Sequence, residues 1–253
     1  MKTKQNPWTT IVFLLLFFIN MPCLAIDQKD TLKILFVGNS YTYVGNLPQI
    51  TSILSENTRV KLYTKKCTFP AAKLSQHWRG EKGLKTKEII KSGNFDIVVL
   101  QEQSMGCINE PDSVLKYLKL FSDLIKSSGA KPYLYVIWAR ENAPQNQEII
   151  NNVLLKSATE NNAVMVNVGN AWSLAKQLRP DIKLYLIDGS HPNELGTLLT
   201  AYVFIATILN EVPEKILSEY QITDINGESV YLMYADPKNV TLFKQIAEQI
   251  IKQ

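Results

Sequence analysis

Leu32-Lys33-Ile34-Leu35-Phe36-Val37-Gly38-Asn39-Ser40 is the stretch that decides the fold. Four apolar residues in a row, Ile34 to Val37, read as a strand buried on both faces rather than as the alternating pattern of a half-exposed one. The run stops at a glycine, which relaxes the backbone where a strand must end sharply, and the next polar side chains are Asn39 and Ser40. A serine at the carboxyl end of a buried strand lies where open α/β sheets place their chemistry.

Working outward, runs of strand length recur at Val60 to Tyr63, Asp96 to Leu100, Pro132 to Trp138 and Ala163 to Val166. Segments of helical periodicity separate them: Leu47 to Glu56, Lys85 to Lys91, Pro111 to Ser127, Gln145 to Asn161 and Ala171 to Leu178. Such alternation predicts an α/β fold, a parallel sheet with helices on both faces. Pro111-Asp112 suits a first helical turn, and Gly129 closes the helix that follows. Near the end, Asn193 is placed to cap a helix running to Leu209, and Asp236 to cap one from Pro237 to Ile251. Residues 211–235 carry turn residues and fit a small addition after the main sheet. No repeat or linker divides the chain.

Residues 1–25 read as a secretory signal peptide: Lys2 and Lys4 precede an apolar stretch from Ile11 to Ile19, and Cys23-Leu24-Ala25 ends it. That stretch is too short for a permanent span, which needs about 20 apolar residues, so no stable membrane insertion is expected after cleavage. Residues 26–253 then form a single α/β domain of 228 residues, enough for a full core. The leader takes two lysines and no acid with it, so the formal net charge falls from +4 to +2. This balance argues against a nucleic-acid partner. Of three cysteines, Cys67 and Cys107 remain, an even pair that an exported protein can bond.

Asp188-Gly189-Ser190-His191-Pro192 holds one of only two histidines. A carboxylate three residues before a histidine can orient the imidazole as a general base for a nucleophile elsewhere, and Ser40 is the candidate nucleophile. The other histidine, His77, lies beside Trp78 and Arg79 with no acid at a useful spacing, and is read as a packing or rim residue. Trp138, ending the fourth strand, is placed to floor a substrate pocket or to fill the core. No cluster with metal-ligand spacing and no phosphate-binding glycine loop occurs, so no metal or cofactor is implied.

The blocks Gly38-Asn39-Ser40-Tyr41-Thr42 and Asp188-Gly189-Ser190-His191-Pro192-Asn193 resemble those of the SGNH/GDSL hydrolases, in particular an exported bacterial branch. The resemblance runs from about Thr31 to about Leu209. It implies a three-layer α/β/α sandwich with a five-stranded parallel sheet, flavodoxin-like in its order 2-1-3-4-5. It also implies that Ser40 is the nucleophile and that His191 and Asp188 complete a triad. Two middle blocks depart from the family. Pro70-Ala71-Ala72-Lys73-Leu74-Ser75-Gln76-His77-Trp78 looks like a copy of a block that opens with glycines, with Ala71 at the oxyanion-donor glycine; a negative φ there would leave its N–H free to donate. Leu100-Gln101-Glu102-Gln103-Ser104 replaces Gly-x-Asn-Asp, so that Gln103, or Gln101, stands in for the asparagine donor.

The family resemblance thus implies a secreted or periplasmic serine esterase acting through an acyl-enzyme. Ser40, Ala71 and a glutamine would form the oxyanion hole, Trp138 and His77 would be weaker candidates for substrate contact, and no cofactor would be needed. The expected substrate is a small-molecule or glycan ester, with an O-acetyl group on a carbohydrate favoured. Two alternatives are a short-chain lipase or thioesterase on the same triad, and an inert carbohydrate-binding module that keeps only the fold. In the implied sheet order Cys67 and Cys107 share the carboxyl edge about two strand spacings, roughly 10 Å, apart. A bond between them, which needs Cα atoms within about 7 Å, therefore requires their loops to converge over the first strand.

Overall fold

The structure is a computed structural model that describes residues 30–252; the signal peptide expected at residues 1–25 lies outside them. Five strands, β1 (Thr31–Gly38), β2 (Lys61–Thr68), β3 (Ile97–Leu100), β4 (Lys131–Tyr135) and β5 (Val164–Val166), form one parallel sheet in the order β2-β1-β3-β4-β5. Ile34 to Val37 are at most 1% exposed, as a strand covered on both faces must be.

The helices divide between two layers. A short α1 (Ser40–Tyr43) follows β1, and α2 (Leu47–Ser55) leads to β2. Beyond β2 come α3 (Leu74–Arg79) and α4 (Thr86–Ser92); α5 (Gly106–Asn109) and α6 (Pro111–Ser127) link β3 to β4, and α7 (Asn146–Asn161) links β4 to β5. After β5 the chain forms α8 (Val168–Leu178), α9 (Glu194–Leu209) and α10 (Pro237–Ile250). Helices α2, α8, α9 and α10 pack on one another, while α3 to α7 pack together as a separate group. Right-handed crossovers produce this division: the step from β1 to β2 runs one way along the sheet and every later step the other, which sends the connecting helices to opposite faces.

The α9 helix is buried all round because it lies between the sheet and three other helices. Its Phe204 meets Phe36 and Tyr135 edge-on, with ring centroids 5.2 and 4.9 Å away. Asn193 caps α9 through Oδ1 and the Gly196 N–H, and Asp236 caps α10 through the Lys238 N–H, as the sequence predicts. The addition expected at 211–235 is an antiparallel pair, β6 (Glu219–Thr223) and β7 (Ser229–Tyr234).

Two expectations concern the cysteines. Cys67 lies inside β2, paired with Val37 of β1, and not beyond the strand. Cys107 lies in α5, and the disulfide that an even pair allows is not formed: both thiols are buried and free. With β1 between them, the connecting segments do not converge. Between α8 and α9 the apolar run Leu184 to Ile187 adds no strand to the sheet; it closes only a bridge between Tyr185 and Pro192, and Leu186 and Ile187 face solvent.

Candidate active site

The sheet's order reverses at β1, whose two neighbours are reached by connections on opposite faces, and Ser40 sits just past its carboxyl end. This is the switch point at which open α/β sheets form a crevice. Gly38 is required there, because a Cβ would collide with Gln101 Oε1 and Thr42 Oγ1. Beyond it, Asn39 Oδ1 accepts from the Tyr41 N–H and starts α1, leaving the Ser40 N–H at a helix start with no protein acceptor among the described residues.

Asp188 organises the other half. Its Oδ1 accepts from the Ser190 and His191 N–H groups, both at 3.0 Å, folding residues 188–191 into a turn around Gly189, whose φ is +61°. Its Oδ2 accepts from His191 Nδ1 at 2.5 Å, and His191 Nε2 meets Ser40 Oγ at 2.8 Å. With Nδ1 donating to the carboxylate, a neutral imidazole presents Nε2 as an acceptor to the serine hydroxyl. The hydrogen bond from His191, with help from the two N–H groups, holds the Asp188 carboxyl down at about 2, so it stays ionised. Three residues separated by 151 positions thus share one hydrogen-bonded line, an arrangement able to remove a proton from Oγ.

The loop is anchored from several sides. The Trp138 indole N–H donates to the Ser190 carbonyl, Tyr41 Oη pairs with Ser190 Oγ at 2.6 Å, and the Glu141 N–H donates to the Gly189 carbonyl. Trp138 is stacked between Tyr41 and Trp172, with centroids 4.9 and 3.8 Å away. Its faces are therefore covered and it does not line the cavity over Ser40; it supports the His191 loop and borders the neighbouring hollow beside Trp172. Tyr41 was missed as a supporting residue, although its place next to Ser40 was a usable signal.

A cavity of about 100 Å³ opens over Ser40 and His191, lined also by Asn39, Tyr41, Ala71, Gln103, Ser104, Arg140 and Ser190. Ala71 occupies the position expected for a backbone donor, and its N–H has no acceptor among the described residues. Its φ is +54°, so the condition of a negative φ is not met, yet the N–H is still left without an acceptor among those residues. Alanine here adopts the backbone shape that glycine adopts freely, at a cost of about 1–2 kcal/mol. Asn39 Nδ2 ties this turn to the serine by donating to the Ala72 carbonyl.

The two glutamines separate. Gln101 is fully buried, and its Oε1 accepts from the Asn39 N–H and the Thr42 hydroxyl at 2.9 and 3.0 Å. Its Nε2 donates to the Glu102 carbonyl, so Gln101 lies beneath the cavity and is removed from the candidate donors. Gln103 lines the cavity; its Oε1 accepts from the Met105 N–H at 2.9 Å and its Nε2 donates to Ser104 Oγ at 3.4 Å, which leaves one of the two amide N–H groups to donate elsewhere. Because β3 ends at Leu100, before either glutamine, strand alternation does not govern where the two side chains point. Between them, the Glu102 carboxyl is buried and accepts from the Gln103 and Leu74 N–H groups. Burial pushes it up to about 7 despite those two donors.

His77 is not a substrate contact. It is fully buried, its Nε2 donates to the Gly38 carbonyl at 2.9 Å, and Nδ1 accepts from the Thr86 hydroxyl at 2.8 Å. Cys67 Sγ completes the row 3.3 Å from Thr86 Oγ1. Burial lowers the imidazole to about 4, so His77 is a neutral prop under the end of β1. Among the described residues no group of His, Cys, Asp and Glu is arranged to hold a metal ion.

No family model matches the sequence, and no curated protein is similar enough to match it. Solved structures do match. A protein from Slackia heliotrinireducens proposed to be an SGNH hydrolase is 22% identical, with a TM-score of 0.61 over 71% of this chain and all of that one. The fold is that of the SGNH/GDSL hydrolases. A DUF4886 family protein from Bacteroides uniformis ATCC 8492 aligns over 88% of this chain and 95% of its own, at 17% identity and a TM-score of 0.66. The acetyl xylan esterase AlAXEase aligns over 70% of this chain and 99% of its own, at 16% identity and a TM-score of 0.55.

Proposed function

We propose that the protein is an exported serine esterase that removes a small acyl group, an O-acetyl on a carbohydrate, through an acyl-enzyme. The observation that carries this reading is the Ser40–His191–Asp188 line of hydrogen bonds at the topological switch point. Ser40 Oγ attacks the ester carbonyl as His191 Nε2 takes its proton, and Asp188 stabilises the imidazolium that forms. The carbonyl oxygen gains charge and is met by the N–H groups of Ser40 and Ala71 and the Gln103 amide. His191 then returns the proton to the departing alkoxide. Water, activated by the same histidine, releases the acid.

The small cavity over Ser40, about 100 Å³, is consistent with a short acyl group such as acetyl. The carbohydrate alcohol draws support from a wider hollow of about 320 Å³ on the other side of Arg140, bordered by Trp138, Trp172, Tyr185 and the Glu141–Lys176 pair. An acetyl xylan esterase among the proteins of like fold points the same way. Export rests on the leader pattern at residues 1–25, and among the described residues no helix is long and apolar enough to cross a membrane.

The test is a chain-length series of 4-nitrophenyl esters with the protein lacking residues 1–25, followed by acetate release from acetylated xylan. The expected result is a kcat/KM that is highest for acetate and falls as the acyl chain lengthens, with the Ser40→Ala variant inactive. A rise toward longer chains would move the reading to a lipase, and wild-type turnover no higher than that of Ser40→Ala would leave an inert binding module.

A further inference from the structure

Four arginines lie among the described residues, and three have a carboxylate oxygen within 4 Å: Arg59 with Glu211, Arg79 with Glu81 and Arg179 with Asp181. The fourth, Arg140, lines the cavity over Ser40 and His191. Its guanidinium makes one hydrogen bond within the protein, from an Nη to Ser104 Oγ at 3.2 Å. The nearby acids are engaged elsewhere. Glu141, its chain neighbour, pairs with Lys176; Asp188 holds His191; the Glu102 carboxyl accepts from the Gln103 and Leu74 N–H groups.

A guanidinium carries five N–H donors in a planar fork that matches a carboxylate, and it stays charged at any working pH. Here one edge is steadied by Ser104, while among the described residues the remaining donors and the charge have no counterpart. Lys73, a nearby cation, is paired with Glu110, and Arg140 is the only lysine or arginine among the described residues lining the cavity. We infer that Arg140 is a specificity residue that binds a carboxylate carried on the alcohol part of the substrate, so that the preferred ester is an acylated acid, such as an acetylated uronic acid, rather than a neutral sugar.

This inference rests on the proposed esterase activity and deepens it. A carboxylate on the alcohol part keeps the same charge in the ground state and the transition state, so its recognition appears mainly in KM. An arginine serving the developing oxyanion would instead act on kcat with every ester. The two roles are therefore separable.

The experiment compares 3- and 4-acetoxybenzoate with their neutral methyl esters, using wild type, Arg140→Ala and Arg140→Lys. Wild type is expected to favour at least one acid over its methyl ester in kcat/KM. Arg140→Ala should lower that preference by about 10- to 100-fold, the size of a charge-assisted hydrogen bond, and chiefly through KM. Arg140→Lys, a point charge without the fork, should keep part of it. A wild type with no preference for either acid overturns the inference, as does a loss in Arg140→Ala that falls on kcat equally for acid and methyl ester. Failure of the esterase reading looks different: wild type would then hydrolyse none of the four esters faster than Ser40→Ala does.

Discussion

The bed beneath Ser40 and the loop that carries His191 are built in opposite ways. Under the serine, Gly38, Gln101 and His77 are locked together across distant elements: Gln101 holds the Asn39 amide, His77 holds the Gly38 carbonyl, and both side chains are fully buried. The His191 loop lies at the surface, with Ile187 wholly exposed and the side chains of His191 and Asp188 32% and 45% exposed. It keeps its shape through a local turn around the Asp188 carboxylate and a few anchors from Trp138, Tyr41 and Glu141. The two histidines show the consequence. One is desolvated and kept neutral as a structural prop, whereas the other remains in reach of water and of a substrate. Core packing fixes the nucleophile, and short-range hydrogen bonding fixes its base.

The most forceful way to break this comparison is to remove one group from each region. If Ser40 and His191 act as a unit, Ser40→Ala and His191→Ala should each cost about 10⁶-fold in kcat, and the double variant should be little worse than either. Asp188→Asn should cost less, about 10⁴-fold, because the line of hydrogen bonds persists with the wrong tautomer. Steady-state kinetics on a short-chain acetate ester reads all four variants. Additive losses in the double variant would show that the two regions work separately.

The same contrast decides what was legible in the sequence. The strand Ile34 to Val37 and the helix Pro111–Ser127 were readable because burial on two faces and a proline-led, glycine-closed helix leave local patterns. The Asp188-to-His191 turn was equally readable, since its hydrogen bonds span only two or three residues. What could not be read depends on contacts between distant segments. Nothing near Gln101 in the chain shows that it serves Asn39, 62 residues earlier, and nothing near Trp138 shows that Tyr41 and Trp172 cover its faces. Whether the two cysteines bond was hidden for the same reason, because β1 lies between Cys67 and the β3 edge that leads to Cys107.

A smaller effect sharpens the boundary between bed and cavity. Gln103→Ala should lower kcat by about 10²- to 10³-fold with KM nearly unchanged, since an oxyanion donor acts mainly once the carbonyl oxygen is charged. Gln101→Ala should differ in kind. It leaves the buried Asn39 N–H and the Thr42 hydroxyl without their acceptor, which costs about 1–3 kcal/mol for each group left unsatisfied. Thermal unfolding alongside kinetics separates the two: Gln103→Ala should melt near the wild type and Gln101→Ala well below it. The reverse pattern would exchange the roles of the two residues.

The smallest effect leaves the chemistry untouched and concerns the bed alone. His77 titrates near 6.5 when unfolded and near 4 when folded, so above about pH 6.5 both states are neutral and the Gly38 and Thr86 hydrogen bonds are fully present. As the pH falls through that window the unfolded chain takes up a proton that the folded protein refuses, and stability is lost, by up to about 3 kcal/mol at pH 4. Glu102 acts with the opposite sign over much of the same range: raised to about 7, it costs the folded state more as the pH rises from about 4.5. The wild-type curve therefore mixes the two and is shallow. His77→Gln keeps a donor for the Gly38 carbonyl but has no proton to gain, so its stability, measured by urea unfolding between pH 4 and 7.5, should fall with rising pH as Glu102 alone dictates. The difference between wild type and variant should then change by about 3 kcal/mol across the window, in favour of the wild type at the neutral end. A pH-independent difference would mean that His77 does not stay neutral in the fold, and the contrast between the two histidines would lose its basis.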